Sequence, residues 1–80
     1  MVYADGRPVR LGDVVTLGEG RTGEVVCAID DDAYAEGFSK EDWGYLARGA
    51  LIQFQAYGLI HYRQAEPDLV LVVRAGGRQR

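Results

Sequence analysis

The stretch that decides the fold runs from Val9 to Ile29, VRLGDVVTLGEGRTGEVVCAI. Two aliphatic, β-branched runs, Val14 to Leu17 and Val25 to Ile29, flank a connection containing Gly18, Gly20 and Gly23. Runs of that composition bounded by glycine predict two antiparallel strands joined by a loop longer than the tightest hairpin turn. Leu11-Gly12-Asp13, just ahead, is a turn in which Gly12 can take positive φ and Asp13 can bond nearby backbone. Along the second arm, strict alternation puts Val25, Cys27 and Ile29 on one face and Val26 and Ala28 on the other. A strand apolar on both faces needs cover on both, as in a small barrel or a sheet with a second covering layer.

Toward the N-terminus, Val2-Tyr3-Ala4 predicts a short first strand running into an Asp5-Gly6 turn. Pro8 keeps the lead-in off any central sheet position. Toward the C-terminus, Ala50 to Ala56 alternates as a half-buried strand, with Ile52 and Phe54 inward and Gln53 and Gln55 outward. Gly58 marks a turn or bulge, Leu59 to Arg63 a further strand, and Glu66-Pro67-Asp68 another turn. Leu69 to Val73 is a continuous apolar run suited to a buried final strand. The expected class is mainly β, a small SH3-like antiparallel barrel or curled sheet of about five or six strands with one short helix. A single domain spans residues 1–75, with an acidic insertion at about 30–49, and a basic tail at 76–80 has nothing to bury and is expected to be flexible.

That insertion is the unusual part of a tightly turned chain. Asp30, Asp31, Asp32, Glu36, Glu41 and Asp42 face one base, Lys40, and the rings of Tyr34, Phe38 and Trp43 are interleaved with them. Ser39 is a good N-cap, Glu41 and Asp42 fall where a helix dipole favours anions, and Gly49 is a natural stop. A helix over Lys40 to Arg48 puts Trp43, Leu46 and Ala47 on one face, although Gly44 weakens it.

The chemistry-bearing residues are sparse. Eighty residues make one domain, and the single cysteine excludes an internal disulfide. One cysteine with one histidine argues against a zinc site built from Cys and His alone. Asp30-Asp31-Asp32 lacks the alternating ligands, the glycine and the distal glutamate of a calcium loop, so neither metal nor cofactor is expected. Cys27 sits among core aliphatics where a thiol is unreactive, and His61 shows no nucleophile or orienting carboxylate by spacing. The two can meet across strands as a dyad, without further motif context. Gly18-x-Gly20-x-x-Gly23 matches a dinucleotide fingerprint in letters only, because a strand follows it rather than a helix. No Walker-type lysine, nucleophile elbow or HExxH is present. No catalytic residue is assigned.

No apolar run approaches the ~18 residues of a membrane span, and a signal-peptide layout is missing, so the expectation is cytoplasmic with no membrane partner. A net charge of −3 argues against binding nucleic acid through a basic stripe.

Val9, Gly12, Asp13, Val15, Leu17, Gly20, Gly23 and Val25 resemble the KOW motif, the hairpin of SH3-like barrels in ribosomal proteins and transcription factors. That resemblance implies an alternative function, a nucleic-acid or ribosome-associated module using Arg7, Arg10, Arg21 and the basic tail. The loop departs from the pattern chemically, since Arg21 stands between Glu19 and Glu24. Over most of the chain, Arg10-Leu-Gly-Asp13, Ile29-Asp30, Tyr34, Trp43-Gly-Tyr-Leu46, Gly49 and Gly58-Leu-Ile-His-Tyr62 resemble small bacterial immunity proteins associated with polymorphic or contact-dependent toxins. This second resemblance implies a binder without chemistry of its own that blocks a toxin. The leading expectation is therefore a protein-binding module, a monomer or weak homodimer. Its partner surface is Asp30, Asp31, Asp32, Tyr34, Glu36, Glu41, Asp42 and Tyr45, facing a basic toxin domain.

Overall fold

The computed structural model describes residues 1–74, so the basic tail at 76–80 lies outside the described residues. The two aliphatic runs form β1 (Val14–Thr16) and β2 (Thr22–Ala28), antiparallel, with Val15 opposite Gly23. Three successive positive φ values, at Gly18, Glu19 and Gly20, reverse the chain between them. Arg21 holds that reversal: its Nε donates to the Gly18 carbonyl at 3.0 Å and its Nη2 to the Leu17 carbonyl at 2.7 Å.

After β2 come β3 (Ala33–Tyr34), the helix α1 (Lys40–Trp43), β4 (Ala50–Phe54), β5 (Gly58–Tyr62) and β6 (Val70–Val73). Every pairing is antiparallel, and the strands run β5-β4-β2-β1-β6 across one six-stranded sheet, with β3 added to the far end of β2. The sheet does not close, because β5 and β6 are its two edges. The mainly β class and the curled-sheet form are thus found, and the barrel form is not.

Position in the sheet corrects several expectations. The final strand is buried on one face only: Leu69 and Leu71 are buried, whereas Val70 and Val72, pointing to the other face, are 51% and 58% exposed. The expected first strand reduces to a single bridge, Val2 to Pro8. The helix stops at Trp43 and continues as one 3₁₀ turn, Gly44–Leu46, although Ser39 caps it as expected, its Oγ accepting from the Asp42 amide at 3.3 Å. Among the described residues no helix is long and apolar enough to cross a membrane.

The register of β2 slips between Val25 and Cys27 against β4. A bulge of this kind resets the in-out alternation, so the strict parity expected along β2 fails. Val25 and Ala28 face the main core with Val15, Ala50, Ile52, Phe54, Leu69 and Leu71. Val26, Cys27 and Ile29 join Leu51 in a second cluster, against which Tyr34, Phe38, Trp43 and Leu46 of the insertion pack. Cover on both faces, inferred from composition, is real and comes from the insertion.

Residues 1–9 close one end of the main core with Tyr3 and Val9. They meet the sheet at Asp13, whose side chain has no solvent exposure. Its Oδ2 accepts from the Tyr3 hydroxyl at 2.7 Å and the Arg10 amide at 2.9 Å, while Arg74 Nη1 stands 3.5 Å away.

At the other end, Gly49 leads into β4 with φ +88° and is backed by the β5 end, where an added Cβ would overlap the Tyr62 carbonyl oxygen. Gly58, at φ +81°, has open space around its Cα. Gly49→Ala is expected to cost at least about 3 kcal/mol, combining left-handed strain with a backbone clash, whereas Gly58→Ala costs about 1 kcal/mol of strain alone. Urea unfolding of the two variants side by side measures the difference.

Candidate functional site

The insertion begins where three consecutive aspartates follow Ile29. Aspartate tolerates the left-handed conformation better than most residues, and Asp32, at φ 56°, ends a single 3₁₀ turn, Ile29–Asp31. The chain then returns along β2 as β3, with Tyr34 opposite Cys27. Phe38 and Trp43 stack obliquely, centroids 6.3 Å apart and planes at 42°, over the second cluster. These rings fasten the insertion; Trp43 packs, as its helical spacing implied.

The three aspartates are all engaged by cations of the same chain. Asp30 Oδ2 accepts from the Met1 ammonium at 2.5 Å and Asp30 Oδ1 from the Gly49 amide at 3.1 Å. The ammonium, opposed by partial desolvation and assisted by that amide, holds the Asp30 carboxyl below the usual aspartate value. Asp32 pairs with Lys40 Nζ at 3.1 Å and pushes that ammonium's pKa up. Asp31 lies 3.8 Å from Arg10 Nη1. Exposed pairs of this kind are worth only ~0–1 kcal/mol, so a competing cation can displace them.

The remaining members of the expected surface are placed differently. Glu36 stands on an exposed turn, Glu41 and Asp42 are exposed on α1, and none has an ion-pair partner among the described residues. Tyr34 is half-buried, packed against the second cluster. Tyr45 is 74% exposed, the most exposed large apolar side chain described. Just after it, Ala47 sits at φ +75°, ψ −37° with the Arg48 amide bonded to the Leu46 carbonyl at 2.8 Å. That is a γ-turn of the rare positive-φ hand, a strained geometry for a residue with a Cβ. The structure therefore divides the expected patch into a bonded base, Asp30 to Asp32, and an unpaired exposed set, Glu36, Glu41, Asp42 and Tyr45.

The basic residues of the alternative reading are also engaged. Arg7 pairs with Asp5 at 2.6 Å, Arg10 approaches Asp31, and Arg21 is bound into its own hairpin and reaches the Tyr57 hydroxyl at 3.4 Å. Cys27 and His61 do not meet, since β4 separates β2 from β5 and Leu51 stands opposite both. Burial shields the thiol and pushes its pKa up. The His61 Nε2 lies 2.8 Å from the Arg48 carbonyl, tying β5 to the end of the insertion. Among the described residues no group of three or more metal-ligating side chains comes together.

One feature was not foreseen: a shallow groove of about 520 Å³ on the half of the second sheet face that the insertion leaves open. Thr22, Glu24, Gln53 and Gln55 line it with hydrogen-bonding groups, above Val14 and Phe54. The outward alternation of Gln53 and Gln55 was its only sequence signal. No family model, curated protein or solved structure matches this chain.

The sign of the Asp30 effect follows from its lowered pKa. Its contribution to stability is complete above the ordinary aspartate value, about 4, and is lost as pH falls through the lower folded-state value. The urea midpoint of Asp30→Asn is expected to lie below the parent's at pH 7 and to converge with it toward pH 3, measured across that range.

Proposed function

We propose that this chain is a non-enzymatic protein-binding module of the immunity or antitoxin kind, which docks its insertion on a basic toxin domain and blocks it. The observation that carries the reading is the unpaired, exposed set Glu36, Glu41, Asp42 and Tyr45, held on a framework fastened by the half-buried rings of Tyr34, Phe38 and Trp43. An exposed aromatic and exposed carboxylates on one insertion match the composition of an interface anchor with a rim that speeds encounter with a cationic partner. Asp30, Asp31 and Asp32 stand at the base, where their weak internal pairs can exchange for a partner's lysines or arginines. The class of partner comes from the resemblance of the Arg10–Asp13, Trp43–Leu46 and Gly58–Tyr62 segments to toxin-associated immunity proteins. We favour this reading over a KOW-like nucleic-acid module because the chain carries a net charge of −3 and Arg21, the one base of the hairpin loop, is bound to the Gly18 and Leu17 carbonyls.

Two measurements test it. Fluorescence anisotropy with single-stranded RNA and duplex DNA at low salt is expected to be flat; an affinity falling steeply with salt would transfer the function to the nucleic-acid reading. Affinity purification from the native cell, with the parent and the Glu36→Lys/Glu41→Lys/Asp42→Lys variant in parallel, is expected to give a basic partner retained by the parent alone. The variant should bind that partner at least about tenfold more weakly at low salt. Equal retention would remove the patch.

A further inference from the structure

Residues 1–9 are attached to the molecule in an unusual way. Their backbone hydrogen bonds are internal: Tyr3 amide to Arg7 carbonyl, Gly6 amide to Tyr3 carbonyl and Val9 amide to Met1 carbonyl, around the Val2–Pro8 bridge. Among the described residues no backbone bond joins this segment to the sheet. Its polar attachments all involve side chains or the terminal ammonium: Tyr3 hydroxyl to Asp13, Met1 ammonium to Asp30, and Arg74 Nη2 to the Pro8 carbonyl at 2.9 Å. A cleft of about 140 Å³ intervenes between Tyr3, Ala4 and Asp5 on one wall and Leu69, Val70 and Leu71 on the other. At its fastening point the closed form is also incompletely satisfied. Asp13 Oδ1 and Arg74 Nη1 are both buried without a hydrogen-bond partner, the guanidinium standing too far from the carboxylate for a true bond.

We propose that residues 1–9 are a strap that undocks as a unit while the sheet stays folded, opening the cleft along β6. A two-stranded hairpin is at best marginally stable alone in water, so the strap loses its internal bonds once undocked. Unmet polar groups at Asp13 and Arg74 raise the energy of the closed form, because a buried orphan group retains its desolvation penalty. Undocking wets both groups. It exposes Tyr3 and Val9 in return, which keeps the closed form dominant.

Amide hydrogen exchange on the intact chain tests this. The amides of Tyr3, Gly6 and Val9 are expected to open at least about tenfold more often than those of Ile29 and Gln55, which bond to Gly49 and Thr22. Tyr3→Phe deletes one hydroxyl and Arg74→Gln removes the clamp on Pro8 while leaving the buried ring in place. Each should multiply opening of the first set by about ten, and in the parent and both variants the opening free energy of the first set should fall with low urea at less than half the slope of the second set. A single opening constant shared by both sets in the parent, or one urea slope shared by both sets, would overturn the strap.

Discussion

A carboxylate removed from water has to be answered by donors and counter-charge, and Asp13 draws on three parts of the chain for them. The turn supplies the Arg10 amide and the N-terminal segment the Tyr3 hydroxyl, while the Arg74 guanidinium, just after β6, stands 3.5 Å away as counter-charge. Its main chain does as much: the Asp13 carbonyl accepts from Val25 and the Val25 carbonyl from Gly12, both at 2.9 Å. Removing a partner from a buried charge of this kind typically costs ~3–5 kcal/mol, more than any single exposed ion pair here can offer. Desolvation, with the bond to Asp13, also raises the Tyr3 pKa far above the ordinary phenol value and keeps that donor protonated. The join between strap, hairpin and final strand therefore depends on one side chain.

From that join the sheet carries two loads on opposite faces. The main core lies on one, filled by Val15, Val25, Ile52, Phe54, Leu69 and Leu71. The insertion lies on the other, seated on Val26, Cys27, Ile29 and Leu51. The slip after Val25 puts the neighbours Val26 and Cys27 together under the insertion, while Val25 before them and Ala28 after them face the main core. The insertion is thus held by apolar contact with the central strands, and its charged residues remain at the surface.

The pattern of glycines and aliphatics from Val9 to Ile29 was enough to read the hairpin, and alternation across Ile52 to Gln55 was enough to orient β4. Local signals of this kind arise from turn chemistry and pleat, which act over a few residues. The bulge was hidden because Val25 to Ile29 is apolar throughout and offers no polar residue to mark a change of face. Edge or centre is likewise a property of neighbours, so Leu69 to Val73 looked buried when only Leu69 and Leu71 are. Within the site, Ser39 and the first turn of α1 were legible from capping chemistry. The pairing of Asp30 with the Met1 ammonium joins residues 29 positions apart, and no local pattern announces it.

Cys27 shows what the arrangement means for chemical durability. Its sulfur is closed off by Leu51 and Ile29 beside it and by the aromatic layer of the insertion. A reagent or oxidant must first lift that layer to reach it. The inertness of the thiol is therefore borrowed from the seating of its cover rather than conferred by any redox compartment. Loosening of the insertion would open the chain's single thiol to oxidation.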